Sequence, residues 1–227
     1  MKSKAMVDKM AEEALENVKD GMTIGLGSGF AASRFVYFLS RFAIKNHFKV
    51  LVVPSSLQIQ TFAESYGLEI APSSLIPSID LLVDGLDQID KALNMIKGGG
   101  GALLREKVLM RAAKKVVILA NEDKFVEVLN RKVPIEVLPF ARSFVLKELE
   151  KIDGKPKLRV LKKGYPIFTE NGNIILDTDF GFIHNPPKLL NKIKGIPGAI
   201  EAGIFTEKIH KVYKACKDSS VKKITSK

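Results

Sequence analysis

Four short stretches of the chain are almost wholly apolar and rich in β-branched residues: Met22 to Leu26, Val50 to Val53, Ile79 to Val83 and Val116 to Leu119. Runs of this length and character suit strands covered on both faces. Between them, Ala31 to Phe42, Leu57 to Tyr66 and Ala102 to Lys114 repeat apolar residues at the spacing of one helix face. Strand and helix therefore alternate, which predicts a parallel sheet with helices on both sides. The opening segment, Met1 to Val18, is charged and amphipathic and reads as a further helix.

After about residue 130 the rhythm changes. Val133 to Leu138 reads as a strand, Arg142 to Ile152 as a helix and Lys157 to Leu161 as a strand. Pro166 to Thr169 and Ile174 to Asp177 follow as strands joined by Glu170-Asn-Gly-Asn173, whose Asn-Gly pair favours a tight hairpin. Pro186 to Lys194 reads as a helix opened by proline, and Ala199 to Phe205 as a last strand. With one strand more than the pattern, this is the β-α-β-β-α-β order of a ferredoxin-like α+β unit. The predicted organisation is a parallel-sheet α/β domain of residues 1–127 plus 205–227 and a smaller domain of residues 128–204. Thr206 to Lys217 has helical spacing and is expected to return to the first domain as a helix, and the tail after Asp218 is expected to fray.

Composition narrows the function classes. With 46% hydrophobic and 27% charged residues, 227 residues can bury a substantial core. No apolar run approaches the roughly 18 residues of a membrane span, and the first helix has no apolar signal-peptide core, so a cytoplasmic protein without a membrane partner is expected. The single cysteine, Cys216, excludes an intramolecular disulfide and is assigned to the last helix; with His47, His184 and His210 scattered, no metal-ligand spacing is present. The net charge of +11 raises the possibility of nucleic-acid binding. Its lysines are spread along the chain without interleaved aromatic residues, which favours a solvated surface and an anionic small substrate over nucleic acid.

The first strand ends in Gly25-Leu-Gly-Ser-Gly-Phe30. This is not the dinucleotide fingerprint, because Phe30 stands where its third glycine belongs and the second strand ends in Val53-Pro-Ser-Ser56 without an acid for a ribose. A glycine-rich strand-to-helix turn remains, which suits either an anion at a helix N-terminus or close helix–strand packing. Ser55 and Ser56 suit either substrate contact or a helix N-cap. The third strand leads into Asp84-Gly-Leu-Asp-Gln-Ile-Asp90, and within 23 positions follow Lys97, four glycines and Glu106. Either acid could cap a turn, yet carboxylates beyond the carboxyl ends of parallel strands also lie where open α/β sheets bind ligands. Four successive glycines cost conformational entropy that close backbone approach to a ligand would explain. Proton abstraction next to a carbonyl needs a carboxylate base and donors for the resulting oxyanion. Glu106, one turn into a helix, can be that base, with Lys97 and the glycine amides as donors and Asp84 and Asp87 holding hydroxyls or shuttling a proton.

The stretches Asp84-Gly-Leu-Asp-Gln-Ile-Asp90 and Lys97-Gly-Gly-Gly-Gly-Ala-Leu-Leu-Arg-Glu-Lys107 resemble the signature sequences of the ribose-5-phosphate isomerase A family. The similarity continues, in that family's order, through Gly25 to Gly29, Asp123-Lys124, Val133 to Pro139, Gly172 to Asp177 and Ile196 to Gly198. It implies a Rossmann-like domain with a ferredoxin-like lid, a homodimer or homotetramer, and cofactor-free, metal-free interconversion of ribose 5-phosphate and ribulose 5-phosphate. By the matching motifs, Glu106 would transfer the proton and Asp84, Asp87 and Lys97 would assist ring opening. Gly85, Leu86, Gly98, Gly99, Gly100 and Lys124 would contact the substrate, and Ser28, Gly29, Phe30 and Ala31 its phosphate. Phe30 and Ala31 depart from the family's usual hydroxyl residues, leaving backbone amides there. Either Lys4 or Lys9 would stand for the family's phosphate lysine in the first helix. Two other classes compete: a sugar-phosphate-binding regulatory module, which needs no base, and an acyl-CoA transferase-like enzyme with a glutamate nucleophile, which leaves Asp84, Asp87 and Lys97 together unexplained.

Overall fold

The computed structural model describes residues 2–72 and 79–225. In chain order its elements begin with α1 (Lys2–Ala14), β1 (Thr23–Leu26), α2 (Gly29–Asn46), β2 (Leu51–Pro54), α3 (Leu57–Ser65) and β3 (Glu69–Ile70). Next come β4 (Ile79–Asp84), β5 (Gln88–Ile89), β6 (Met95–Ile96), α4 (Leu103–Ala112), β7 (Ala113–Asn121), β8 (Val133–Val137) and α5 (Arg142–Glu150). The chain ends with β9 (Lys155–Leu158), β10 (Ile174–Asp179), α6 (Pro186–Lys194), β11 (Ala199–Ala202), β12 (Ile204–Phe205), β13 (Lys211–Ala215) and β14 (Val221–Thr225). Two compact units divide the chain, one drawn from Met1–Leu86, Arg105–Lys124 and Glu207–Lys227, the other from Asp87–Leu104 and Phe125–Thr206.

The first unit is built on a seven-stranded sheet in the order β14-β13-β7-β4-β1-β2-β3. All neighbours are parallel except β13 and β14. The chain steps from β1 outward to β2 and β3, then returns to the other side of β1 with β4 and β7. This is the Rossmann strand order, and its reversal between β1 and β4 marks the crevice where such sheets receive ligands. Leu81, Val83, Val117 and Leu119 join one core with residues of α1, α2 and α3. Leu82, Val116 and Ile118, of the opposite parity, are buried as well, so both faces are covered and the strands read as continuous apolar runs.

In the second unit, β11-β8-β10-β9 form a four-stranded antiparallel sheet. With α5 and α6, this gives the ferredoxin-like order read from the sequence. Val133, Ile135 and Val137 face a core shared with Val145, Leu149, Leu190 and Ile193. A small sheet of β12-β6-β5 completes the unit.

Four expectations are corrected. Pro166 to Thr169 is not a full strand; only the bridges Val160–Pro166 and Phe168–Ile174 form there, since proline brings no N–H to a ladder. Ala199 to Phe205 is two strands broken at Gly203, where a Cβ would lie 2.2 Å from the Lys97 carbonyl oxygen. Thr206 to Lys217 is not a helix, and the tail does not fray after Asp218. Residues 211–215 instead lie parallel to β7 and turn through Ser219 (φ 69°) into β14. The apolar spacing of Ile209, Val212, Tyr213 and Cys216 imitates a helix, but the open edge of β7 offers a ladder that buries Val212 and Tyr213 completely. Cys216 is buried just beyond that strand; Ser226 and Lys227 lie outside the described residues.

Candidate active site

In the first unit, the site residues gather at the carboxyl ends of adjacent parallel strands. β1 runs into Gly27, Ser28 and α2, β4 ends in Asp84, and β7 is followed by the short turn Glu122–Lys124 carrying the half-buried Lys124. Asp84 is fully buried, and its Oδ1 accepts from the Gly85 amide at 2.7 Å. A Cβ on Gly27 would stand 1.8 Å from that same oxygen, so the second glycine of the β1 turn is required by the carboxylate on the neighbouring strand. Gly29, at φ +84°, opens α2 in a conformation other residues adopt with strain.

Ser28 occupies the N-cap position of α2 but makes no side-chain cap. Its hydroxyl instead donates to Glu106 Oε1 at 2.5 Å. Glu106 lies in the first turn of α4 and is 3% exposed. Phe30, in the first turn of α2, is 56% exposed, and a Cβ on Gly85 would lie 3.6 Å from the Ala31 methyl. Ser56 caps α3 by accepting from the Ile59 amide, which resolves that residue as an N-cap. The Ser55 hydroxyl is buried and meets no hydrogen-bond partner among the described residues.

In the second unit, Lys97 follows β6 and is 3% exposed, its ammonium 5.5 Å above the Phe205 ring and its amide bonded to the Gly203 carbonyl at 2.9 Å. The glycine run turns sharply at Gly98 (φ +102°), where a Cβ would press on Leu103 and Pro134. The Gly99 amide donates to Asp87 Oδ2 at 2.9 Å, while Gly99 and Gly100 lie open to solvent. Sequence reasoning missed two residues here. Arg159 donates to the carbonyl oxygens of Gly98 and Gly99 at 2.9 and 3.1 Å and forms a two-pronged pair with Asp177. Sixty-one positions separate Arg159 from Gly98, and no local pattern signals the contact.

The family model of ribose 5-phosphate isomerase A (phosphoriboisomerase A) matches residues 51–219. The chain belongs to this family. It is 44% identical over 202 residues to the ribose-5-phosphate isomerase A of Archaeoglobus fulgidus, covering 88% of this chain and 89% of that protein. The Methanosarcina acetivorans enzyme is 39% identical over 209 residues, 92% of this chain and 89% of its own. Among solved structures, ribose 5-phosphate isomerase A from Methanocaldococcus jannaschii superposes with a TM-score of 0.92 at 34% identity over 97% of this chain and 98% of that one. A D-ribose-5-phosphate isomerase in complex with phospho-erythronic acid gives 0.93 at 35% identity with the same coverage. The isomerase family and the mixed α/β fold read from the sequence are thus both found.

Proposed function

We propose that this chain is a ribose-5-phosphate isomerase, interconverting ribose 5-phosphate and ribulose 5-phosphate with Glu106 as the proton-transferring base. The observation that carries this reading is the 2.5 Å hydrogen bond between Ser28 and the buried Glu106, which joins the glycine turn at the N-terminus of α2 to a carboxylate in one unit. A helix N-terminus offers amides to a phosphate, and a carboxylate beside it can reach the sugar end of a short phosphate ester.

In the proposed reaction, Asp84, Asp87 and Lys97 hold the sugar and help open its ring. Glu106 takes the proton from C2 of the open-chain aldose, and the C2–H electron pair forms the C1–C2 double bond of a cis-enediolate as charge moves to O1. Lys97 and the Gly100 amide stabilise that oxygen, while the Gly99 amide is held by Asp87. Return of the proton to C1, with the O2 proton passing to O1, yields the ketose; the sum is neutral and consumes no co-reactant. Gly29, Phe30 and Ala31 hold the phosphate through their amides, joined by Lys124 and by Lys4 of α1.

The Phe140 and Phe168 side chains, 96% and 61% exposed, line one groove of the second unit with Pro139 and Leu158, an apolar surface that suits a homodimer or homotetramer. We also assign the protein to the cytoplasm, in keeping with described helices too short or too polar to cross a membrane. The deciding experiment incubates chelator-treated protein with ribose 5-phosphate in deuterated water. Ketose carrying solvent deuterium at C1 supports the isomerase. Thermal stabilisation by the sugar phosphate without turnover would instead identify a binding module.

A further inference from the structure

The structure assigns Arg159 as a positioning residue that orients the amides of the glycine run by gripping their carbonyl oxygens, an inference that rests on the isomerase reading for its catalytic consequence. Arg159 Nη1 donates to Gly98 O at 2.9 Å and to Gly99 O at 3.1 Å. These oxygens belong to the two successive peptides whose N–H groups are those of Gly99 and Gly100. In a trans peptide the N–H points opposite to the C=O. Holding both carbonyls on the guanidinium therefore turns both amides away from it. The Gly99 amide does point elsewhere, donating to Asp87 Oδ2 at 2.9 Å.

Glycine needs such an external constraint more than any other residue, because its backbone visits both signs of φ with little penalty. Gly98 at φ +102° and Gly101 at φ +84° are flanked by that freedom. The grip is itself held: Arg159 Nε donates to Asp177 Oδ2 at 2.8 Å and Nη2 to Asp177 Oδ1 at 2.5 Å, with the side chains only 15% and 26% exposed. The Arg159 amide is fixed by Ile175 O at 2.8 Å. A planar guanidinium can serve a carboxylate on one edge and two carbonyls from another nitrogen, which a lysine ammonium cannot reproduce. A charged donor on a peptide carbonyl also polarises that peptide and strengthens its N–H as a donor.

The test compares wild type with Arg159→Gln, and with Asp177→Asn as a second variant should the first not fold. Amide exchange of the 97–101 segment is read first, because it requires no turnover; faster exchange at Gly99 and Gly100, with the rest of the protein unchanged, is expected. Steady-state kinetics on ribose 5-phosphate should show kcat lowered about 100-fold, the scale of a misplaced or lost oxyanion donor, with KM nearly constant. Arg159→Ala should recover part of its rate in added methylguanidinium, and Arg159→Lys should recover less than the wild-type value. Unchanged exchange at Gly99 and Gly100 in a folded variant overturns the positioning role, as does a wild-type kcat. Faster exchange in the variants, with a wild type that never forms ketose, would defeat the isomerase reading alone.

Discussion

The Ser28 hydroxyl donates to Glu106 Oε1 at 2.5 Å, so the N-cap serine of α2 is engaged by the carboxylate of α4 rather than by its own helix. Glu106 is the proposed base, and a base must be fixed before it can be effective; this bond holds it. Glu106→Gln keeps the shape and the hydrogen bond but removes the proposed base. We expect kcat to fall about 100- to 10,000-fold, the usual contribution of a positioned base, with KM close to wild type. Ser28→Ala should cost about tenfold in kcat, the scale of one hydrogen bond to a charged group. A parallel loss of affinity for ribose 5-phosphate in Glu106→Gln would make Glu106 a binding residue.

Gly27 is required by Asp84. A methyl group there would overlap the carboxylate, whose Oδ1 stands 1.8 Å from the ideal Cβ position, whereas Gly29 faces open space. Gly27→Ala should therefore displace Asp84, destabilise the fold by about 1–3 kcal/mol and lower activity. Gly29→Ala should show only the strain of its positive φ, about 1 kcal/mol. Urea unfolding of the two variants separates these cases, and equal midpoints would mean that Asp84 readily moves aside.

The contrast between Gly27 and Arg159 shows how far the sequence could be read. Buried parallel strands announce themselves locally, since Ile79, Leu81, Leu82 and Val83 are all fully buried and only Asp80 of that run is polar; the hairpin signal and the proline-opened helix likewise placed α6 and the turn before β10. Asp84, Lys97 and Glu106 were legible as candidates because their chemistry clusters within 23 positions. The β1 glycines were visible, but the reason for Gly27 was not, because it lies on another strand. Arg159 and the β13–β14 hairpin stayed hidden for the same cause. Their conformations are set by partners many residues away, the Gly98 and Gly99 carbonyls and the edge of β7, and local spacing carries no trace of them.

The hairpin gives a pH test. Glu16 accepts from Lys223, Tyr213 and Lys211, and these bonds, that of Lys223 foremost, lower its pKa from the usual 4.5 to about 2. A depressed carboxylate stabilises the fold above its unfolded pKa and loses that contribution as pH falls through its folded value. The stability gap between wild type and Glu16→Gln should thus be full at pH 7 and shrink between about 4.5 and about 2. Glu16 is 41% exposed, so screening by solvent keeps the gap modest, and added salt should narrow it. Denaturant midpoints measured across that range check this; a gap undiminished at the acidic end would show that the ion pairs are not its source.

Lys124 follows the carboxyl end of β7, the strand beside β4 and Asp84. A lysine that only holds the substrate contributes alike to ground and transition states. Lys124→Ala should then raise KM more than it lowers kcat, and an unchanged KM would remove it from the site.

The choice between Lys4 and Lys9 as phosphate ligand follows from the direction of α1. Lys9 Nζ donates to Ser219 O beyond the carboxyl end of β13, while Glu16 bonds Lys211 at that strand's start. So α1 runs opposite to the parallel strands, as α2 must when it leaves the carboxyl end of β1 for the start of β2. Asp8 of α1 pairs with Arg34 of α2. One helical turn earlier in each, Lys4 comes level with Phe30 at the N-terminus of α2, where the phosphate is proposed to sit. Lys9 is occupied at the hairpin. We expect Lys4→Ala to raise KM for ribose 5-phosphate and to flatten its dependence on ionic strength, because the removed attraction is a screened one. Lys9→Ala should leave KM unaltered and lower the unfolding midpoint slightly. The reverse pattern, with KM moved only by Lys9→Ala, would transfer the phosphate contact to Lys9.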